Sequence, residues 1–516
     1  MTTARAVSFA TMAALALSCA KQPSPALPVA HPTFAPSALP DALPVPGPVL
    51  PITGGFLKIE VCAENIVRVA AAPDQRFFAR ATLATLAKRC TAAPFTVTAE
   101  PGATVVTTAA LAVRVELPAG RVSFFDARRA PGADSPTPIL AERAGGRSLA
   151  PATVAGEATF QVRQQWLESA DESFYGLGQH QQDLLDLRDV DLDLRQYNTE
   201  IFVPFLVSSA GYGILWDNTS FTRFGDLGEP VPLPGATGLY SAASGALPGD
   251  VAIAGPSLDW QGTIVPPATG DYLLRAYSAG AVQLSIGGAT VVDHWRQRWL
   301  PGEDLAKVHL NAGAPVPVRL RWTMDGTTRI LRLLWKPPVP DRGTSFWSKV
   351  GDGVDYTFVY GPGRNLDQVV AGYRQLTGQA PLPPRWAFGL WQSRERYRTQ
   401  NESLEVLRQF RARRIPVDNI VQDWQYWDPK RWGSHAFDPK RFPDPDGWIG
   451  ALHAGHARVM VSVWPKFYPL LLRPRARSDR QLRRPGPDPH PAPGTRPRER
   501  RPPCALIAHH PGHSRR

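Results

Sequence analysis

From Ile52 to about Phe224, apolar residues recur at every second position in short stretches broken by Gly, Pro and polar residues. Phe56-Leu57-Lys58-Ile59-Glu60-Val61, Ala112-Val113-Arg114-Val115-Glu116-Leu117 and Tyr212-Gly213-Ile214-Leu215-Trp216 show the pattern. A period of two turns one side of each strand to a core and the other to water, which predicts an antiparallel β-sandwich. A second β-rich block runs from Gly238 to Pro338 and includes Gly270 to Tyr277, Val282 to Gly288, Val316 to Trp322 and Leu331 to Trp335. Pro-rich stretches at Pro230 to Pro234 and Pro337 to Pro340 flank it, as for a module inserted into a host, and strand character returns at Asp355 to Tyr360. The predicted partition is a host sandwich over 52–226 with 341–375, and an inserted β-sandwich over 227–340.

At Pro381-Leu382-Pro383-Pro384 the period changes. A strand over Ala387 to Trp391 is followed by Thr399-Gln400-Asn401-Glu402, a capping box, and by the helical stripe Leu404, Leu407, Phe410. A strand over Val417 to Trp424 comes next, then a helix opening at Pro445, then a strand over Arg458 to Trp464. Strand, helix, strand, helix, strand begins a parallel α/β unit. An eight-fold barrel needs about 250 residues, so 376–469 holds only its first three strands. The fold class expected is therefore multidomain α/β: a β-sandwich with an inserted β-sandwich module, a truncated (β/α)8 TIM barrel, and a disordered tail over 470–516.

Charge and composition sharpen this partition. The 516 residues carry 57 Lys+Arg against 45 Asp+Glu, a net charge of +12, with 43% hydrophobic and 20% charged residues. Disorder is excluded for most of the chain. The excess charge is local: Leu470 to Arg516 contains 12 Arg, 10 Pro and only 3 acids, leaving +3 on everything before it. The tail has no interleaved aromatics, so nucleic acid is not expected as a partner. At the other end, Arg5 and the apolar run Ala13-Ala14-Leu15-Ala16-Leu17 read as a secretory signal over 1–19. Leu17-Ser18-Cys19-Ala20 resembles a bacterial lipoprotein cleavage site, with Cys19 as the lipidated residue, although Ala16 stands where such sites usually have Leu. A Pro/Ala-rich linker over 20–51 would follow. The expected setting is export, to the periplasm or an outer-membrane anchor. Cys62 and Cys90 have two open readings, a disulfide or two buried thiols.

Candidate chemistry concentrates at strand ends. In a parallel barrel the C-terminal ends of strands build the site. Asp423 ends the second strand beside Trp424, Trp464 ends the third and Trp391 the first, and seven of the 15 Trp lie between Pro384 and Pro469. Indole faces and a carboxylate suit a sugar, with its apolar C–H faces and rim of hydroxyls. A carboxylate placed beside aromatics is costly unless something binds it. Trp386 and Trp448 read as packing.

Several motifs carry a resemblance. Phe174-Tyr175-Gly176-Leu177-Gly178-Gln179-His180, Asn198-Thr199-Glu200 with Pro204-Phe205, and Gly211 to Asn218 resemble the N-terminal sandwich of glycoside hydrolase family 31, which is galactose-mutarotase-like. Gly389 to Tyr397, Val421-Gln422-Asp423-Trp424 and Phe442 to Gly447 resemble the start of its barrel, and Ser462 to Tyr468 its bacterial α-xylosidase branch. The insert resembles a protective-antigen-type module through Trp260 to Ile264 and Asp293-His294-Trp295. The resemblance implies a retaining, exo-acting α-xylosidase, α-glucosidase-like, acting on xyloglucan-type oligosaccharides without a cofactor. It implies that Asp423 binds sugar hydroxyls and that Trp464, Trp391 and Trp424 wall the same subsite, with the loop around Gln196 and Asn198 reaching towards it. In this branch the module is thought to extend the cleft. Calcium-dependent modules of its type use adjacent acids, whereas the comparable turn here reads Ser278-Ala279-Gly280, so no metal is expected.

Retaining hydrolysis requires two carboxyl groups about 5–5.5 Å apart. In the family both follow the position of Tyr468, but here the only later acids are Asp479, Asp488 and Glu499, none in a matching motif. No catalytic residue is assigned, and the chain as given is expected to be inactive. The change at Pro469 reads as a shifted reading frame, with a natural basic tail as the alternative. The alternative function is a non-catalytic, carbohydrate-binding surface lipoprotein.

Overall fold

The computed structural model describes residues 47–464 and 506–509, apart from 87–92, 129–136, 170, 181, 183, 197–199, 227, 229, 235–237, 243–245, 296–300 and 339–342. The predicted signal with Cys19, most of the linker, Cys90, Asn198 and nearly all of the tail lie outside the described residues.

The host sandwich has a seven-stranded antiparallel sheet and two five-stranded sheets around one core. In the large sheet the strand Val354–Tyr360 lies between Ile66–Ala72 and Tyr212–Trp216. All seven of its residues are buried, as befits a strand covered on both faces. Arg68 bridges Glu60 and Asp355 inside this sheet, with its Nε 2.8 Å from Asp355 Oδ1. Asn65 reaches across the same pairing to donate to the carbonyl of Tyr360 at 2.7 Å. Trp166, Trp216, Phe346 and Tyr356 pack edge-on and stacked beneath the sheet. Cys62 is disulfide-bonded, which excludes the free-thiol reading for it; every other cysteine lies outside the described residues.

The chain leaves the sandwich after Thr222–Gly225 and returns at Gly343–Gly351, its neighbour in one five-stranded sheet. Between them stand two four-stranded antiparallel sheets with their own core, in which Tyr272 stacks on Trp335 and Trp322 Nε1 donates to the Ala279 carbonyl at 2.7 Å.

A helix absent from the sequence reading, Leu366–Thr377, follows the sandwich. Asn365 caps it by accepting from Gln368 N–H at 3.1 Å, and Val369 and Leu376 pack on Phe205, Leu215 and Val359. The barrel segment then forms a parallel sheet of Trp391–Gln392, Asn419–Gln422, Arg458–Val463 and Leu506–His509, in that order. Helices Gln400–Ala412 and Pro445–Ala454 cross between the first three strands and cover one face. Thr399 caps the first at Glu402 N–H (3.2 Å), while the Glu402 carboxylate reaches Arg398 N–H (2.6 Å), one residue beyond the expected box. Asp444 caps the second, ahead of Pro445.

Two expectations change. The first strand is only two residues long, because Arg385–Phe388 forms a 3-10 turn and Leu390 N–H bonds the Asp418 carboxylate (3.1 Å) instead of a ladder partner. The tail, expected to be without order, contributes the strand Leu506–His509. Its apolar run supplies backbone partners to the edge of Arg458–Val463, which would otherwise stand open.

Arg68→Met would remove the cation that Glu60 and Asp355 share, leaving Glu60 to Lys58 and Asp355 to Arg80 at 3.5 Å. With those partners left, the expected loss is about 1–3 kcal/mol, that of hydrogen bonds to charged groups, read as a lower urea midpoint for the sandwich; Arg68→Lys should recover part of it.

Candidate carbohydrate site

The parallel sheet presents the C-terminal ends of its strands on one edge, where Asp423 follows Asn419–Gln422 and Trp464 follows Arg458–Val463. Gln422, fully buried, sets the backbone there: its Nε2 donates to the carbonyls of Asp423 (3.0 Å) and Tyr397 (3.1 Å). The Asp423 side chain is half-buried and has no hydrogen bond or ion pair among the described residues. The neighbouring acids are committed. Asp428 accepts from Lys430 N–H, and Asp438 accepts from Lys440 N–H and from Arg441, whose guanidinium holds its carboxyl below the usual carboxylate range.

Four indoles surround this strand end. Trp424, Trp432 and Trp464 form a triangle with ring centroids 5.8, 5.5 and 6.1 Å apart, and Trp427 joins through Trp432 at 5.4 Å. Their planes cross at 43–61°, so they pack as a tilted cluster and not as a stacked column. The indole N–H groups of Trp424 and Trp427 are buried without a partner among the described residues. Arg396 lies over Trp424, its Cζ 4.7 Å from the ring centroid, and its Nη1 donates to Gln425 Oε1 at 3.1 Å. Arg441 folds the loop that brings Trp427 and Trp432 in, donating to the carbonyls of Gln425 (2.8 Å) and Trp427.

The structure therefore brings Trp424, the residue after Asp423, together with Trp464. Trp391 is elsewhere: its Nε1 donates to the Ala387 carbonyl at 3.0 Å and its ring packs on Trp386. Trp448 is a core residue that donates to Ser403 Oγ at 2.8 Å between the two helices. Gln196 closes its own turn through Phe202. Trp432, Arg396, Arg441 and Gln422 were not singled out from sequence. Trp432 had a signal, a large indole in a Pro- and Gly-containing loop, which must pack on something to be kept from water.

Residues 56–224 match the glycosyl hydrolase 31 N-terminal galactose mutarotase-like domain, and residues 380–477 match the glycosyl hydrolases family 31 TIM-barrel domain. The chain belongs to glycosyl hydrolase family 31. Between those domains, residues 256–344 match the PA14 domain. Among curated relatives, an alpha-xylosidase of Saccharolobus solfataricus is 28% identical over 319 residues, 60% of this chain and 28% of the relative. Alpha-glucosidase 2 of Bacillus thermoamyloliquefaciens is 37% identical over 119 residues, 23% of this chain and 15% of its own length. The crystal structure of a family 31 alpha-xylosidase from Xanthomonas citri is 34% identical with a TM-score of 0.69, covering 82% of this chain and 49% of that one. An alpha-xylosidase from a soil metagenome, solved with xylose, shares the fold at 22% identity and a TM-score of 0.51, covering 81% of this chain and 46% of that one. This family 31 chain thus spans about half the length of the solved relatives and less of the curated ones.

Gln422→Leu removes the two bonds that join the loop of Tyr397 to the strand end of Asp423. It should destabilise the barrel segment by about 1–3 kcal/mol, seen as earlier unfolding of tryptophan fluorescence in urea.

Proposed function

We propose that this chain holds the sugar-recognition side of a retaining, exo-acting α-xylosidase that works on xyloglucan-type oligosaccharides. The observation that carries the reading is the Asp423 carboxylate, uncommitted among the described residues, at a strand end whose next residue, Trp424, packs with Trp432 and Trp464. A pyranose has the complementary chemistry: C–H faces for the indoles and hydroxyls to donate to Asp423. The names of the Xanthomonas citri and Saccharolobus solfataricus relatives support xylose as the sugar.

Turnover is a separate matter. Retaining chemistry needs a nucleophile and an acid/base at about 5–5.5 Å, and none of Asp479, Asp488 and Glu499 stands in a motif that matches the family's pair. The proposal is that residues 1–516 alone bind sugar without hydrolysing it. The proposed setting is export, supported by the Arg5 and Ala13 to Leu17 pattern, with Cys19 as the lipid attachment point.

Titration with xylose should quench tryptophan fluorescence, and Asp423→Ala should weaken binding by about 10- to 100-fold, the loss of a charge-assisted hydrogen bond. Release of 4-nitrophenol from 4-nitrophenyl α-D-xyloside should be absent. Absence of quenching would remove the sugar reading; turnover would show that acids of this chain complete the catalytic pair.

A further inference from the structure

The inserted module does not hang freely on its linkers. One face of its sheet lies on the host segment Asp186 to Asp193, and three rungs of that face alternate in chemistry. Lys307, Leu273 and Lys336 form the first rung, Leu305, Arg275 and Leu334 the second, Glu303, Tyr277 and Arg332 the third. Leu273 and Leu305 join the host core with Leu187, Val190 and Leu192. Around this apolar centre the contacts are ionic. Lys336, with 7% of its side chain exposed, sits between Asp191 at 2.9 Å and Asp226. Arg275 bridges Glu303 at 3.1 Å and the Asp191 carbonyl at 3.4 Å, and Lys307 donates to the Asp186 carbonyl at 3.2 Å. Gly225, at φ +124°, leaves room for the Asp191 carboxylate; a Cβ there would stand 2.2 Å from Asp191 Oδ1. At the third rung the seam is not sealed: a pocket of about 130 Å³ is lined by Arg275, Tyr277, Glu303, Arg332 and Leu334, so solvent reaches Glu303.

We propose that this seam is a proton-dependent clamp, which holds the module tightly on the sandwich in mild acid and loosens its grip as the pH rises. The reason is a cluster of carboxylates partly withdrawn from water, in which Arg223 pairs with Asp193 and Arg332 lines the Glu303 pocket while pairing with Asp250. Glu303 faces Arg275 but also Asp191, Asp193 and Glu200; Asp191 faces Lys336 and Arg275 but also Asp226, which Arg163 also faces. Burial, with these like charges, pushes the Glu303 and Asp191 carboxyls up from their ordinary values. Opening the seam hydrates both groups and returns them towards those values. The docked form therefore holds protons that the open form releases. Docking is fully supported below the ordinary carboxylate range, about 4, and weakens as the pH rises through the docked values. Lys307, pushed down by burial among Asp186, Asp189, Arg188 and Asp271, acts in the opposite sense and only towards alkaline pH.

The test is hydrogen–deuterium exchange on the whole chain between pH 5 and pH 8, with rates corrected for the intrinsic chemistry at each pH. Peptides covering Leu187–Leu194 and the edge strand Gly302–Leu310 should lose protection as the pH rises, by at most about 10-fold per pH unit for each proton released. The module's other sheet, read at Val316–Thr323, should keep its protection throughout. Glu303→Gln, isosteric and uncharged, should make the profile shallower and leave more protection at pH 8, with Asp191 still titrating, while Lys336→Met should lower protection across the range. A flat wild-type profile, a Glu303→Gln profile that follows the wild type, or loss of protection in Val316–Thr323 in step with the seam would each overturn the proposal.

Discussion

The pairing of Val354–Tyr360 with Ile66–Ala72 organises the molecule. It puts a fully buried strand in the middle of the largest sheet, and it makes Arg68 and Asp355 partners across 287 positions of sequence. A strand buried on both faces cannot be left out without exposing the core of the whole sandwich. The pairing therefore fixes where the chain must return after its excursion, and so requires that Gly225 and Gly343 lie close together. The inserted module meets that requirement with Ile330–Lys336, its last strand, whose terminal Lys336 lands between host carboxylates.

Many strands of the sandwiches were legible because their burial follows the two-residue period, as in Leu111–Glu116, where each inward residue is buried and each outward one is not; Tyr212–Trp216 and Val354–Tyr360, buried throughout, were legible as apolar runs. Pairing order was not legible, since it depends on partners hundreds of residues apart. The helix Leu366–Thr377 escaped notice because its apolar face is small. Gly372 lies against Val359, where a Cβ would come within 2.4 Å of the Val359 side chain, so close approach replaces a broad hydrophobic stripe. The first barrel strand was overread for the opposite reason: Phe388 and Leu390 look like core residues but are 71% and 45% exposed. The strand Leu506–His509 was hidden by the Arg and Pro around it.

In the candidate site, the position of Asp423 at a strand end and the meeting of Trp424 with Trp464 followed from the strand, helix, strand rhythm. The rest of the aromatic wall did not. Trp427 and Trp432 are brought in by a loop whose path is set by Arg441 and its carbonyl contacts, and no periodicity encodes such a fold-back. Trp391 shows the limit of reasoning from strand ends alone. It opens its two-residue strand instead of closing it, and its indole donates back to the Ala387 carbonyl.

The late arrival of Val354–Tyr360 has a consequence in time. A ribosome adding roughly 5–20 residues per second delivers Tyr360 on the order of 15–60 s after Ala72. For that interval Ile66–Ala72 has Gly55–Ala63 on one side and nothing on the other. The nascent chain thus carries an unpaired, Val- and Ala-rich edge while the inserted module, whose contacts are all more local, completes its own two sheets. The growing polypeptide is most vulnerable to association with its neighbours in that window, and a pause or break in synthesis before Tyr360 would leave the edge open for good.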